Sequence, residues 1–257
     1  MADTSASMRT THTKRTRGRN AVAGKTKKHH NKTSGAVLDM LPPIARDMAS
    51  TDWRKRHNAL QQLTDLIVDH PEVMEAQLFK LMDHFLTGLS DGNSKVNIRA
   101  LESLCRVIPA IGDLTARVLH LLMPPLCKYL GSGNTNTKKY SQQVVKAIVN
   151  NVTVKDTALA LSKALANNCK SVPSKAIILE EIAGLVIDCH REHPRLVTNK
   201  LLPQAVKLLS GTARDVRVQA EALVTVICKA GPEQATLRIQ QFSPRSKSRA
   251  MVLVNAV

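Results

Sequence analysis

A basic residue returns about every 40 residues in this chain, each time at the predicted start of a helix. The recurring positions are Trp53-Arg54-Lys55, Lys95, Lys138-Lys139, Lys175 and Arg214-Asp215-Val216-Arg217. From Trp53 to Lys95 is 42 residues, and the steps to Lys138, Lys175 and Arg214 are 43, 37 and 39 residues. A period near 40 in an all-helical pattern is typical of helix pairs stacked into a solenoid. Equivalent turns then lie in a row along one edge.

The residues between these positions are apolar at helical spacing, with no competing strand pattern. Val96, Ala100, Leu104, Val107 and Ile111, for example, fall on one face of a helix. The pattern predicts five helix pairs, at about 51–89, 93–130, 136–168, 173–210 and 214–241. The predicted fold class is therefore all-α, an α-solenoid of about five repeats.

Charge divides the chain into three predicted parts. The 257 residues carry a formal net charge of +17. Residues 1–35 hold nine Lys/Arg against one acid and lack hydrophobic periodicity, so they are predicted to be a disordered basic tail. Residues 36–241 are predicted to form the repeat domain, and residues 242–257 a basic C-terminal strip. A chain this basic is expected to bind polyanions. The tail residues expected to do so are Lys14, Arg15, Arg17, Arg19, Lys25, Lys27 and Lys28. Its composition also suits a targeting signal, nuclear or mitochondrial.

Several classes of function lack their sequence signatures. The chain has neither a phosphate-binding Gly-x-x-x-x-Gly-Lys-Ser/Thr loop nor a Gly-x-Ser-x-Gly nucleophile turn, so we expect no enzyme, no cofactor and no small-molecule substrate. His190 and His193 have metal-ligand spacing but no third ligand nearby, so no metal is expected. The five cysteines are scattered, which predicts free, buried thiols. No apolar stretch approaches the ~20 residues that span a bilayer, so no membrane partner is expected.

Two repeat openings resemble a known family. The segment 51–63, Thr-Asp-Trp-Arg-Lys-Arg-His-Asn-Ala-Leu-Gln-Gln-Leu, is similar to the first repeat of TOG domains, and 88–97, Gly-Leu-Ser-Asp-Gly-Asn-Ser-Lys-Val-Asn, is similar to their second-repeat turn. TOG domains are tubulin-binding arrays of HEAT repeats found in the XMAP215, CLASP and crescerin families, and the likeness is strongest to the ciliary crescerin type. It covers about residues 50–240, although TOG domains have six repeats rather than five.

The resemblance implies HEAT-like helix pairs in a paddle whose intra-repeat turns bind tubulin. Trp53 would pack on β-tubulin, and the basic positions further along would reach toward α-tubulin. The implied tubulin-binding residues are Trp53, Arg54, Lys55, Lys95, Lys138, Lys139, Lys175, Arg214 and Arg217. The expected partner is the tubulin dimer or the microtubule lattice, in the cytoplasmic cytoskeleton or in the axoneme of a cilium or flagellum.

Other interpretations stay open at this point. A nucleic-acid-associated HEAT protein would use the basic tail, although six aromatic residues offer little material for base stacking. A scaffold that holds a peptide in its concave groove is a third interpretation. The position of the charge separates the first two, because tubulin binding requires the basic turns along one edge, whereas nucleic-acid binding favours a broad basic face. Trp53 could also pack inward as a core residue.

Overall fold

The computed structural model describes residues 37–211 and 213–256, and within these ranges the regular structure is helical. The helices, numbered in chain order, are α1 (Leu41–Met48), α2 (Trp53–Asp69), α3 (Glu72–Leu89), α4 (Ser94–Ile111), α5 (Leu119–Leu130), α6 (Thr135–Asn151), α7 (Val154–Asn167), α8 (Val172–Glu192), α9 (Pro194–Leu208), α10 (Arg214–Ala230), α11 (Pro232–Ile239) and α12 (Pro244–Asn255). Helix α9 contains a π-helical turn, Val197–Leu201, and a 3-10 helix, Gly112–Val118, precedes α5. The predicted all-α solenoid is confirmed.

Side-chain caps fix where four of the even-numbered helices begin. Asp52 accepts a hydrogen bond from the Arg54 amide at 2.9 Å, and Asn93 accepts one from the Lys95 amide at 2.9 Å. Asn134 and Ser171 cap α6 and α8 in the same way. Each cap satisfies a helical N–H group that otherwise has no partner. The caps therefore place the recurring basic residues within the first turn or just beyond it.

Two helices lie outside the five predicted pairs. Helix α1 precedes the first pair, in a segment predicted only as an apolar lead-in, and Pro42 and Pro43 occupy its first turn, where a missing N–H costs nothing. Helix α12 occupies residues predicted only as a basic strip. Pairing α1 with α2, and so on through α11 with α12, gives six helix pairs, and in the first five of them the two helices pack more extensively on each other than on the helices across the intervening turns.

This pairing determines which turns are equivalent. The basic positions follow the turns within the six observed pairs. The five pairs predicted from the sequence begin one helix later, at α2 instead of α1. The basic tail, residues 1–35, lies outside the described residues.

The core is a continuous apolar layer between the odd-numbered and even-numbered helices. In α4 the predicted face is buried: Val96, Ala100, Leu104 and Val107 are fully inaccessible to solvent. Successive even-numbered helices pack side by side, α2 on α4, α4 on α6 and α8 on α10. The contact between α6 and α8 is smaller, so the stacking is thinnest between the third and fourth pairs.

One stretch of the described residues, Ser94–Leu130, is long and apolar enough by length and composition to cross a membrane, with a mean hydropathy of 1.3 in an 18-residue window. In the structure it comprises α4 and α5 with the 3-10 helix between them. The chain changes direction at Gly112, whose φ of +53° lies in the left-handed region that favours glycine. Leu101, Leu104 and Leu122 are buried in the core, so these helices are apolar because they face other helices.

Candidate functional site: the basic edge

The turns within the helix pairs lie along one edge of the solenoid. They comprise residues 49–52, 90–93, 131–134, 168–171, 209–213 and 240–243, with residue 212 outside the described ranges. Because consecutive helices run in opposite directions, every second turn returns to the same edge. We call these turns, with the basic residues that follow them, the basic edge. It is the predicted arrangement of the recurring lysines and arginines.

Contacts between neighbouring turns make the row continuous. The Tyr129 hydroxyl at the end of α5 donates a hydrogen bond to the Leu89 carbonyl at the end of α3. Gly131 packs so closely on the Ser171 side chain that a Cβ at residue 131 would collide with it. At the far end, Arg249 of α12 donates a hydrogen bond of 2.7 Å to the Leu209 carbonyl. The C-terminal helix therefore helps to hold the fifth turn of the edge.

Trp53 lies at the first turn of the edge, between two cations. The Lys95 Nζ atom is 4.9 Å from the centre of the Trp53 ring, and the Arg54 Cζ atom is 5.0 Å from it. His57, one helical turn further on, meets the ring edge-on at 6.3 Å. The indole is half-buried and packs partly against the core. Trp53 is thus neither a core residue nor a fully exposed one, and the structure joins it directly to Lys95 of the second turn.

An ion pair fastens the first turn to the second. The Arg56 guanidinium donates two hydrogen bonds to the Asp91 carboxylate, of 2.6 and 2.8 Å, and two more to the Ser50 and Thr51 carbonyls. The hydrogen bond from Arg56 lowers the pKa of Asp91, whose side chain is only 7% exposed. A bidentate pair with low exposure fixes relative position well. Arg56 and Asp91 therefore set the distance at which Lys95 reaches Trp53.

The acids at these two turns are occupied within the protein. Asp52 caps α2, and Asp91 is paired with Arg56 and also accepts the Asn93 amide at 2.8 Å. Among the described residues, Arg54, Lys55 and Lys95 take part in none of the ion pairs. Their charge is therefore available to an outside partner.

Helix electrostatics do not explain why these basic residues stand where they do. The N-terminus of a helix is the positive end of its dipole, where acids stabilise and cations destabilise by about 0.3–1 kcal/mol each. Yet the first turns of α2, α4, α6 and α8 contain no acid. Arg54, Lys55 and Lys95 are placed against the local preference of the helix, which favours a functional reason for their position.

The nine predicted tubulin-binding residues differ in their exposure to solvent. Arg54, Lys55, Lys95, Lys139 and Arg214 are exposed, whereas Trp53, Lys138, Lys175 and Arg217 are half-buried. The Arg217 guanidinium donates a hydrogen bond of 3.1 Å to the Gly211 carbonyl, which draws it back to its own turn. The tail residues Lys14, Arg15, Arg17, Arg19, Lys25, Lys27 and Lys28 lie outside the described residues.

On the face formed by α2 and α4, beside the basic edge, arginines pair with acidic side chains of the same face. On α4, Arg106 pairs with Asp65 of α2 at 2.8 Å, and Arg99 pairs with Glu102 at 3.1 Å. Arg99 also donates to Gln61 on α2 at 2.9 Å. This α2–α4 face is therefore a mixed polar surface rather than a broad basic one, whereas Arg54, Lys55 and Lys95 at the edge take part in none of the ion pairs.

Sequence reasoning missed the residues that organise the edge. Arg56 was part of a basic run, and nothing local distinguishes it from Arg54 and Lys55. Asn97 donates its side-chain amide to the carbonyls of Gly88, Leu89 and Asp91, and so holds the second turn closed. The Asp-Gly-Asn sequence of that turn was the available signal, because Asp and Asn side chains commonly hydrogen-bond to turn backbone. In the described residues no group of three or more His, Cys, Asp or Glu side chains is placed to hold a metal ion.

Comparison with known proteins identifies the fold. No protein-family model matches the chain. The human TOG array regulator of axonemal microtubules protein 1 is 28% identical over 182 residues, which is 69% of this chain and 10% of that protein. The chain thus spans about a tenth of the length of this relative.

Solved structures of TOG domains superimpose on this chain. The TOG domain of C. elegans Zyg9 superimposes with a TM-score of 0.65 at 14% identity, covering 92% of this chain and 89% of that one. A crescerin TOG domain gives 0.63 at 14% identity, covering 83% and 88%. The chain therefore has the fold of a TOG domain, as its repeat openings predicted, and a sequence similar to that of the axonemal TOG array regulators.

Proposed function

We propose that this chain is a non-enzymatic tubulin-binding TOG domain that contacts tubulin through the basic edge. The human relative is by name a regulator of axonemal microtubules, and crescerin uses its TOG domain array to regulate microtubules in the primary cilium. The same activity in a ciliary or other cytoskeletal array is the function that the edge supports best.

The observation that carries the proposal is the Trp53 cluster. A half-buried indole between Arg54 and Lys95 offers a large rigid contact surface whose position is already fixed. Tryptophan and arginine are the residues that most often dominate binding energy at protein interfaces, and fixing them beforehand reduces the entropy cost of association. The nearby acids are used internally, so the cluster presents positive charge to the acidic surface of tubulin.

The rest of the edge would set orientation. Lys138 and Lys139, then Lys175, and then Arg214 with Arg217 follow the Trp53 cluster in a row. We assign Trp53, Arg54 and Lys55 to β-tubulin, and the residues further along the row to α-tubulin. Charges spread along a row favour one orientation of an elongated acidic partner and speed its association. The basic tail, residues 1–35, would add sequence-independent attraction to the microtubule surface.

The test is binding of the full chain to unpolymerised tubulin by size-exclusion chromatography, and to stabilised microtubules by cosedimentation, each at several salt concentrations. We expect a complex with free tubulin that survives physiological salt, because shape recognition by the edge is less sensitive to screening than the tail is. A short nucleic-acid duplex serves as the competing polyanion. Binding to the duplex at physiological salt without binding to tubulin would reject the proposal and support the nucleic-acid alternative.

A further inference from the structure

Two cysteines meet where the third helix pair packs on the fourth. Cys127 lies in α5, Cys169 lies in the turn between α7 and α8, and their Sγ atoms are 3.1 Å apart across 42 residues of chain. Both are buried, at 2% and 5% exposure. The other three cysteines, Cys105, Cys189 and Cys228, are free thiols in α4, α8 and α10.

The surroundings make the two sulfurs unequal. The hydrogen bond between the two sulfurs, then a hydrogen bond with Ser174 and the positive charge of Lys175, lower the pKa of Cys169 despite its burial. The same sulfur–sulfur hydrogen bond and burial raise the pKa of Cys127. Since the thiolate is the reactive form of cysteine, Cys169 is suited to react first and Cys127 second.

A cleft reaches Cys127 and the two residues that flank Cys169 in the chain, Asn168 and Lys170. It has a volume of about 540 Å³, and Cys127, Lys128, Gly131 and Lys170 are among the residues that line it. Lys128 and Lys170 place positive charge at the wall of this cleft. A disulfide requires its sulfurs about 2.05 Å apart, so the pair must close by about 1 Å, a movement that side-chain rotation can supply.

We propose that Cys127 and Cys169 form a redox modification site that a hydroperoxide converts to an intramolecular disulfide. The Cys169 thiolate attacks one peroxide oxygen, the O–O bond breaks, and Cys169 becomes a sulfenic acid as hydroxide leaves and takes up a proton. The Cys127 sulfur then attacks the Cys169 sulfur. The S–O bond breaks, and the departing hydroxide takes the Cys127 proton. Two thiols and one hydrogen peroxide thus give one disulfide and two waters, and a dithiol reductant reverses the change.

The position of the bond gives it a structural consequence. It would join α5 to the turn before α8. At this junction the contact between α6 and α8 is smaller than the contacts between the α2–α4, α4–α6 and α8–α10 neighbours. Lys138 and Lys175 of the basic edge lie on either side of this junction. A disulfide there would fix the angle between the first three helix pairs and the last three. The modification itself does not depend on the proposed tubulin binding.

The test uses the full chain and three variants. Cys105→Ser/Cys189→Ser/Cys228→Ser retains only the pair, and Cys127→Ser and Cys169→Ser are each added to it. After equimolar hydrogen peroxide, we expect the retained pair to lose both alkylatable thiols without dimerisation, to regain them in dithiothreitol, and to melt roughly 5–10 °C higher when oxidised. Adding Cys127→Ser should leave a sulfenic acid on Cys169 that dimedone traps, and adding Cys169→Ser should leave Cys127 unmodified.

Cys105 provides the internal control in the wild-type chain. It is more exposed than either member of the pair, but burial and the neighbouring Glu102 raise its pKa to about 11. Peptide mapping should show the Cys127–Cys169 link forming at least about tenfold faster than any modification of Cys105. Equal or faster reaction of Cys105, or a pair that remains reduced while the protein stays folded, would overturn the proposal.

Discussion

Replacement of Trp53 by alanine separates the two roles that the structure gives this residue. A tryptophan buries about 150–250 Å² when enclosed, so a half-buried ring removes about 100 Å² from water. At about 25 cal/mol per Å² this contributes roughly 2–3 kcal/mol to folding as an upper estimate. We therefore expect Trp53→Ala to lower the melting temperature by about 4–10 °C, more than an exposed residue would.

Tubulin affinity should fall by a further amount once the folded fraction is taken into account. Loss of an aromatic anchor typically costs about 2 kcal/mol, or about thirtyfold in Kd. The assay is titration of labelled tubulin at a temperature where both proteins are folded. Trp53→Phe is the matched control, because it keeps an aromatic face beside Lys95 and should retain most of the affinity. Unchanged affinity in folded Trp53→Ala would show that the ring is only a packing residue and would refute the reasoning.

Three further predictions test the surrounding structure. Because the folded-state pKa of Asp91 is lowered by Arg56, its contribution to stability is present above the unfolded value near 4 and is lost as pH falls toward the folded value. Thermal melts between pH 6 and pH 3 should therefore decline more steeply for wild type than for Asp91→Asn, and parallel declines would contradict the assigned ion pair. Deletion of residues 1–35 should weaken microtubule cosedimentation and reduce its salt dependence while leaving free-tubulin binding largely intact; loss of both would make the tail the main binding element. Gly231→Ala should destabilise the fold by about 1–3 kcal/mol, because the new methyl group would collide with the His190 ring, whereas Gly92→Ala, which meets nothing within 4 Å, should stay within about 0.5 kcal/mol in chemical denaturation. Equal effects of the two substitutions would contradict the packing described at Gly231.

The fold class was predictable because it depends on local patterns. Helical spacing of apolar residues and the recurrence of basic positions near every 40 residues need no knowledge of distant contacts. The pairing of the helices was not predictable in this way. Helix α12 begins with Pro-Arg-Ser-Lys-Ser-Arg and buries little beyond Ala250, so its sequence resembles a solvated strip. It is held by packing on the preceding α11, and by two contacts with residues more distant in the chain: packing on α10 and the Arg249 hydrogen bond to Leu209.

The candidate site shows the same division. The positions of Trp53 and Lys95 at the starts of helices followed from the sequence. Their contact at 4.9 Å did not, because it depends on the distance between two turns that Arg56 and Asp91 fix from 35 residues apart. Two residues with similar neighbours, Arg54 and Arg56, thus have different roles: one is open to a partner, and the other holds the fold together.

The most direct test of the basic edge is a charge reversal there, compared with an equal reversal elsewhere. Lys95→Glu with Lys139→Glu changes two exposed residues of the basic edge. Lys155→Glu with Lys229→Glu changes two exposed residues at the other edge of the solenoid, at the start of α7 and the end of α10. Both variants lower the net charge by the same amount, so any difference in tubulin affinity reports position. We expect the edge variant to lose free-tubulin binding by at least about tenfold at physiological salt and the control to bind nearly as wild type does. Equal losses in the two variants would show that overall charge, not the edge, drives binding.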